Sequence, residues 1–235
     1  TAHRARQIAG QVFRFAVATG RAERDPSVDL KGALAQPKKT HFKALIKPAE
    51  LGNLIRAIKS YQGTPPVIAA LKLTPLLFCR PGELRSLEWA EVNLDESQVE
   101  LPSEKMKADQ PHIIPLCWQA KEILMDLFPL TGRGKFVFPS ARGATRPLSE
   151  NGVRTALRTM GYTNDQVSPH GFRASATTLL DEVLKFPKDW IEHQLSHAVR
   201  DPNGRSYNRT TYLEDRRKMM QTWADYLDQI SGEER

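Results

Sequence analysis

Cysteine is scarce in this 235-residue chain: Cys79 and Cys117 are the only two, too few and too far apart for a disulfide framework or a zinc ribbon. That usage fits a reducing intracellular compartment. Long apolar runs are missing too, since no stretch reaches the roughly 18 residues of a bilayer-spanning helix, and no membrane partner is expected. The opening residues Thr1-Ala2-His3-Arg4 offer neither an initiator methionine nor a signal-peptide core, so the chain is expected to be a piece of a longer protein. Internal repeats and low-complexity tracts are lacking. Acidic residues are thin at one end: the first 47 residues hold ten Lys or Arg against three acids, a balance of +7 that equals the net charge of the whole chain. The remaining 188 residues are neutral, with 24 of each sign. Such asymmetry suits either a solvated basic face or a segment that tracks a polyanion, where each cation set on a phosphate releases condensed counterions.

Ile8, Val12, Phe15 and Ala16 recur at i, i+4, i+7 and i+8 with Gly20 as C-cap, which predicts an amphipathic helix over residues 3–19 in need of a partner. Asp25-Pro26, Gly32 and Pro37-Lys38-Lys39 break helices and suit an extended basic linker. Helices are predicted at 48–60, 65–78, 81–87, 118–128, 149–160, 171–184, 187–196 and 212–230. Between Trp89 and Leu116, short β-prone runs around Val92, Val99, Leu101, Ile113 and Ile114 predict an antiparallel sheet of two or three strands. The fold class is therefore mainly α with a small antiparallel β-sheet (α+β).

Three segments carry side chains suited to phosphate chemistry. The first runs from Leu77 to Trp89 and sets Arg80 just before a Pro-Gly helix start, with Glu83 placed to hold its guanidinium in a bidentate ion pair. In Ser168-Pro169-His170-Gly171-Phe172-Arg173, His170 and Arg173 share one helical face and can meet one phosphate. Ile191-Glu192-His193-Gln194-Leu195-Ser196-His197 is followed by Ser206-Tyr207-Asn208-Arg209. Each alone is weak, because an Arg-Pro-Gly turn is as often structural and a His-x-x-Arg pair arises by chance.

The ordered series Arg80, Lys107, His170, Arg173, His197 and Tyr207, with Met106-Lys107 ahead of Pro111-His112-Ile113-Ile114-Pro115-Leu116, resembles the active-site series of the tyrosine recombinases, in their phage and genomic-island integrase branch. The resemblance covers nearly the whole chain. It implies that residues 1–36 are the C-terminal remnant of a core-DNA-binding domain and residues 37–235 a catalytic domain. It implies site-specific recombination for integration and excision of a mobile element through a 3′-phosphotyrosyl link, with no cofactor and no metal. Arg80 and Arg173 would stabilise charge on the nonbridging oxygens; His170 and His197 would add donors, with His170 able to accept the nucleophile's proton. Tyr207 would be the nucleophile, preferred over Tyr212 by its spacing from His197. Lys107 would be the general acid, chosen over Lys105 by the Met-Lys context alone. The implied partners are double-stranded DNA attachment sites, touched by Arg4, Arg14, Lys38, Lys39 and Lys43, and further copies of the chain in a synaptic tetramer. The implied location is the cytoplasm of a prokaryotic cell, at the nucleoid.

Rival readings stay open on sequence alone. His193 and His197, at i and i+4, have the spacing of two zinc ligands. A type IB topoisomerase uses a similar constellation, and a non-catalytic helical DNA-binding module would need the same cations. Leu213, Met220, Trp223, Leu227 and Ile230 form an apolar stripe beside polar Arg216, Arg217 and Lys218, which serves either core packing or assembly on DNA. His112 is expected to brace the strand near the lysine turn, His3 and His41 to face solvent or DNA, and the cysteines to act as small core residues.

Overall fold

A computed structural model describes residues 2–35, 43–107, 109–197 and 212–232. They fall into two compact units, residues 1–41 and 42–235. In the first, α1 (Ala2–Ala18) leaves its apolar stripe uncovered within the unit: Ile8, Val12 and Phe15 are 50%, 61% and 63% accessible. The stretch after α1 is not an extended linker. Asp25 caps the Ser27 N–H at 2.9 Å and opens a 3-10 turn with Pro26 at its first position. The chain then returns along α1, where Arg6 donates to the Leu30 carbonyl and His3 Nε2–H to that of Ala35. His3, expected to face solvent or DNA, is half-buried and tied to this turn through an exposed hydrogen bond.

In the second unit α2 (Pro48–Ser60), α3 (Pro65–Leu77) and α4 (Pro81–Arg85) all begin with proline, whose fixed φ suits a first turn and whose absent N–H is one that the helix could not pair there. α3 is buried from Ala69 to Leu77 apart from Lys72. An apolar helix with no polar side must be enclosed, and α2, α5 (Trp118–Thr131), α6 (Gly152–Thr159), α7 (Gly171–Glu182) and α9 (Leu213–Ser231) pack around it. α8 (Lys188–Gln194) packs on α7 and α9.

A three-stranded antiparallel sheet, β1 (Val92–Asn93), β2 (Gln98–Leu101) and β3 (His112–Pro115), pairs Val92 with Val99 and Val99 with Ile114. Val99, Leu101 and Ile114 turn into the core. A second hairpin, β4 (Pro139–Ser140) with β5 (Gly143–Pro147), lies outside the sequence expectation. Four of the five β5 residues are exposed, so no alternation marks it. Among the described residues no helix is long and apolar enough to cross a membrane.

The stripe on α9 is filled within the chain. Met219, Met220, Trp223, Ala224 and Leu227 are all at most 2% exposed, and the Trp223 indole donates to the Pro75 carbonyl at 2.9 Å, one of the carbonyls that the end of α3 leaves unpaired. Core packing thus accounts for Met220, Trp223 and Leu227 of the stripe. Arg216, expected on the polar face, is 2% exposed. α2 and α9 meet so closely at Gly52 that a Cβ there would strike the Ile230 backbone. Overpacking of this kind costs about 1–3 kcal/mol, so Gly52→Ala is expected to lower the urea midpoint without changing the slope, as equilibrium denaturation would record; an unchanged midpoint would disprove the close approach.

Candidate active site

Arg80 stands where α3 hands over to α4. Phe78 takes a left-handed conformation (φ 34°) that ends α3, and Arg80 becomes the N-cap of α4. Glu83 does not grip the guanidinium with both oxygens. One oxygen accepts the Arg80 backbone N–H at 2.8 Å and the other accepts Nη1 at 2.6 Å, because the third helical position faces the unpaired N-cap amide as well as the side chain. Arg80 Nη2 donates to the Ser196 carbonyl at 3.4 Å.

His170 is the N-cap of α7, and Arg173 follows one turn later. The start of α7 is fixed against residue 43: the Ser168 N–H donates to the Lys43 carbonyl at 3.2 Å, and a Cβ on Gly171 would overlap that carbonyl. Arg173 is 6% exposed. Its Nη1 donates to the Phe78 carbonyl at 3.0 Å and its Nη2 to that of Leu195 at 2.8 Å, so its holders are carbonyls at the C-terminal ends of α3 and α8. Among the described residues no carboxylate forms an ion pair with it.

His197 completes the group. Its Nε2 lies 3.4 Å from Arg173 Nη2 and its Nδ1 2.7 Å from Glu192 Oε2. A guanidinium only donates and a carboxylate only accepts, which assigns the proton to Nδ1. Glu192 stands five residues before His197 in the segment that carries the resemblance, but the sequence alone does not name it as the imidazole's partner. α8 ends at Gln194, and Ser196 turns left-handed (φ 51°). His193 and His197 therefore do not share a helical face; the His193 ring instead meets Tyr212 edge-on at 5.3 Å. That geometry removes the spacing argument for zinc, and among the described residues no group of three metal-ligating side chains assembles.

Burial, then the cations Arg173 and Arg80, push the His170 imidazole below its ordinary pKa. Burial and Glu83 push the Cys79 thiol up to about 12, which leaves it a neutral filler between two arginines. Cys117 is buried, and its thiol is likewise driven up to about 12 by burial.

The two lysines after β2 differ. Lys105 Nζ contacts Ser86 O, Glu88 Oε1 and Glu91 Oε1, whereas Lys107 is exposed and no described contact joins it to the arginine–histidine group. Behind the site, His112 Nε2–H donates to the Gln194 carbonyl at 3.1 Å, so it braces β3 against α8. Arg216 donates from Nε and Nη2 to Gln194 Oε1 at 3.0 and 2.7 Å and also reaches the Ile113 carbonyl. Gln194 and Arg216 escaped sequence reasoning. Arg216 does lie in register with Met219, Met220 and Trp223, a signal that a cation shares the buried face.

Arg4 and Arg14 are exposed on α1, Arg14 lying 3.6 Å from Asp25, and the Lys43 side chain is exposed. Lys38, Lys39, His41 and Tyr207 lie outside the described residues.

Residues 46–213 match the Phage integrase family, and residues 1–33 the Phage integrase central domain. Prophage integrase IntZ of Escherichia coli (strain K12) is 38% identical over 229 residues, a match covering 97% of this chain and 56% of that protein. The integrase of Enterobacteria phage P4 is 36% identical over 241 residues, covering 97% of this chain and 55% of its own length. The chain thus spans little more than half of either relative. A lambda integrase tetramer solved on a Holliday junction shares the fold with a TM-score of 0.58 at 20% identity, covering 87% of this chain and 59% of that one. With a family match over most of its length and relatives this similar, the chain belongs to the phage integrase family of tyrosine recombinases.

Proposed function

We propose that this chain is the strand-cleaving part of a site-specific DNA recombinase that integrates and excises a mobile element. The observation that carries the reading is the convergence of Arg80, Arg173, His170 and His197 on one spot, with Arg173 held by carbonyls and not by a carboxylate. Attack on a phosphodiester adds charge to its two nonbridging oxygens, and preorganised guanidinium forks lower that barrier. The Tyr207 phenol oxygen attacks phosphorus while its proton passes to His170. The new O–P bond forms as the P–O5′ bond breaks, and the Lys107 ammonium gives a proton to the departing 5′ oxygen. The 3′-phosphotyrosyl link keeps the bond energy until another 5′-hydroxyl attacks it, with the same groups working in reverse. Glu192 orients His197 against the phosphate, as carboxylates orient imidazoles in other sites.

The partner in this reading is a duplex attachment site, contacted by Arg4, Arg14, Lys38, Lys39 and Lys43. Residues 1–36 are the end of the core-binding domain and 37–235 the catalytic domain. The tetrameric lambda integrase on a Holliday junction supports a synaptic assembly of four copies, working on the chromosome in a prokaryotic cytoplasm.

Incubation of the intact integrase with a nicked attachment-site duplex, followed by denaturing electrophoresis and peptide mapping, tests this. Tyr207→Phe is expected to abolish the covalent adduct and Tyr212→Phe to retain it, because the Tyr212 ring is engaged with His193 and Trp190; an adduct surviving in the Tyr207 variant sinks the assignment. The pH profile gives a second check. His170 titrates below the ordinary 6.5, so it is a competent base at neutrality and loses that role as pH falls. kcat/KM, which reports the free protein, should be flat near neutrality, decline only on the acid side of 6.5, and lose that acid limb in His170→Gln.

A further inference from the structure

The connection between β2 and β3 carries two lysines in opposite surroundings. Lys105 closes a 3-10 turn (Ser103–Lys105), and its Nζ has three acceptors: Ser86 O at 3.0 Å, Glu88 Oε1 at 2.9 Å and Glu91 Oε1 at 2.6 Å. An ammonium has three N–H donors, so all are spent. The acceptors are themselves fixed: Glu91 is 8% exposed and takes the Glu88 N–H at 2.9 Å on its other oxygen, while Ser86 caps α4 and bonds back to the Gly82 carbonyl. Ser86, Glu88 and Glu91 thus belong to the same short stretch that opens with Arg80 and Glu83. Met106, between the lysines, is 3% exposed and sits in the core, and Lys107 emerges from it into solvent.

We infer that Lys105 is a positioning residue: its ammonium ties the β2–β3 turn to residues 86–91 and thereby sets the reach of the Lys107 amine relative to Arg80. The inference rests on the reading of Lys107 as general acid. Lys105 cannot take that role itself without breaking two ion pairs, whereas the exposed Lys107 amine can approach a leaving oxygen once its base is fixed. Because a displacement on the order of 1 Å at the reacting atoms costs about 10²-fold, a tether two residues away has leverage on the rate.

The test compares single-turnover cleavage of two nicked duplexes of the attachment site by the intact integrase. One carries the natural 5′ oxygen at the scissile phosphate and the other a bridging 5′ sulfur. With oxygen, the P–O bond breaks and the leaving group needs a proton. With sulfur, the P–S bond breaks and a thiolate departs unprotonated, a thiol having a pKa near only about 8.5. Lys107→Ala should lose roughly 10²-fold or more on oxygen and recover on sulfur. Lys105→Met should lose about 10- to 10²-fold on oxygen and likewise recover on sulfur, whereas Lys105→Arg, which keeps a cation for the two carboxylates, should stay close to the parent. Glu88→Gln leaves Glu91 in place and should show the same pattern more weakly, which keeps the test valid if Lys105→Met does not fold. Equal slowing of both substrates in the Lys105 and Glu88 variants, or no slowing on oxygen, overturns the positioning role. Failure of sulfur to rescue Lys107→Ala overturns the general-acid reading beneath it.

Discussion

Two guanidiniums are gathered at the C-terminal ends of two helices, and much of the larger unit serves to keep them there. The charge of Arg80 opposes that of Arg173 and pulls the Arg173 pKa down beside the larger effect of burial, so the pair needs compensation. Part comes from Glu83 and part from the Phe78, Leu195 and Ser196 carbonyls. Hydrogen bonds to a charged group contribute about 1.5–3 kcal/mol each, and helix C-termini carry partial negative charge. Both helices reach these carbonyls through a non-glycine residue in the left-handed region, Phe78 at φ 34° and Ser196 at φ 51°, a conformation that costs on the order of 1–3 kcal/mol and persists only where its surroundings enforce it. For Phe78 the enforcement is visible: its ring is 1% exposed and meets Trp223 edge-on at 6.1 Å. The core thus stabilises the strained turn that aims a carbonyl at Arg173.

Behind this front lies a third cation, which does no chemistry in the proposed reaction. Burial draws the Arg216 guanidinium down to about 10, so it remains charged at neutrality, enclosed by Gln194 and the Ile113 carbonyl. With His112 on the Gln194 backbone, this joint ties β3, α8 and α9 together immediately beneath Leu195 and His197. Buried polar joints are demanding, since each hydrogen bond to a charged group contributes about 1.5–3 kcal/mol and its loss leaves buried polar atoms short of partners. A joint of this kind favours one geometry over near alternatives, as a site built from the ends of several elements requires.

Much of the architecture was legible in the sequence because its signals are local. Proline at the first position of α2, α3 and α4, the apolar run of α3 and the period of α9 each name an element without reference to anything distant. The partner of an element is not local. The α9 stripe has the same period whether it faces a second subunit or its own core, and only the packing shows Met220, Trp223 and Leu227 in the core. Arg216 shows the same limit, because composition places an arginine on the surface and only the register with Met219, Met220 and Trp223 hints otherwise. For the site, the order of Arg80, His170, Arg173 and His197 along the chain was readable, but the division of the Glu83 carboxylate between an amide and a guanidinium follows from N-cap geometry. The early end of α8, which parts His193 from His197, depends on the left-handed turn at Ser196, and no residue type there announces it.

Counting donors separates the cations that hold the protein together from those that await something else. Lys105 has three N–H groups and three acceptors. Among the described residues, Arg173 uses three contacts for its five N–H groups and Arg80 two. Arg173 is only 6% exposed, yet among the described residues none of its nitrogens is both fully buried and without a partner, so its remaining donors stay within reach of water or of an incoming acceptor. The deficit in acceptors and the surplus of positive charge have one remedy in common, an anion with several oxygens entering between Arg80 and Arg173. In the proposed reaction a DNA backbone phosphate would fill that place, and its fit would improve as attack increases the charge on those oxygens.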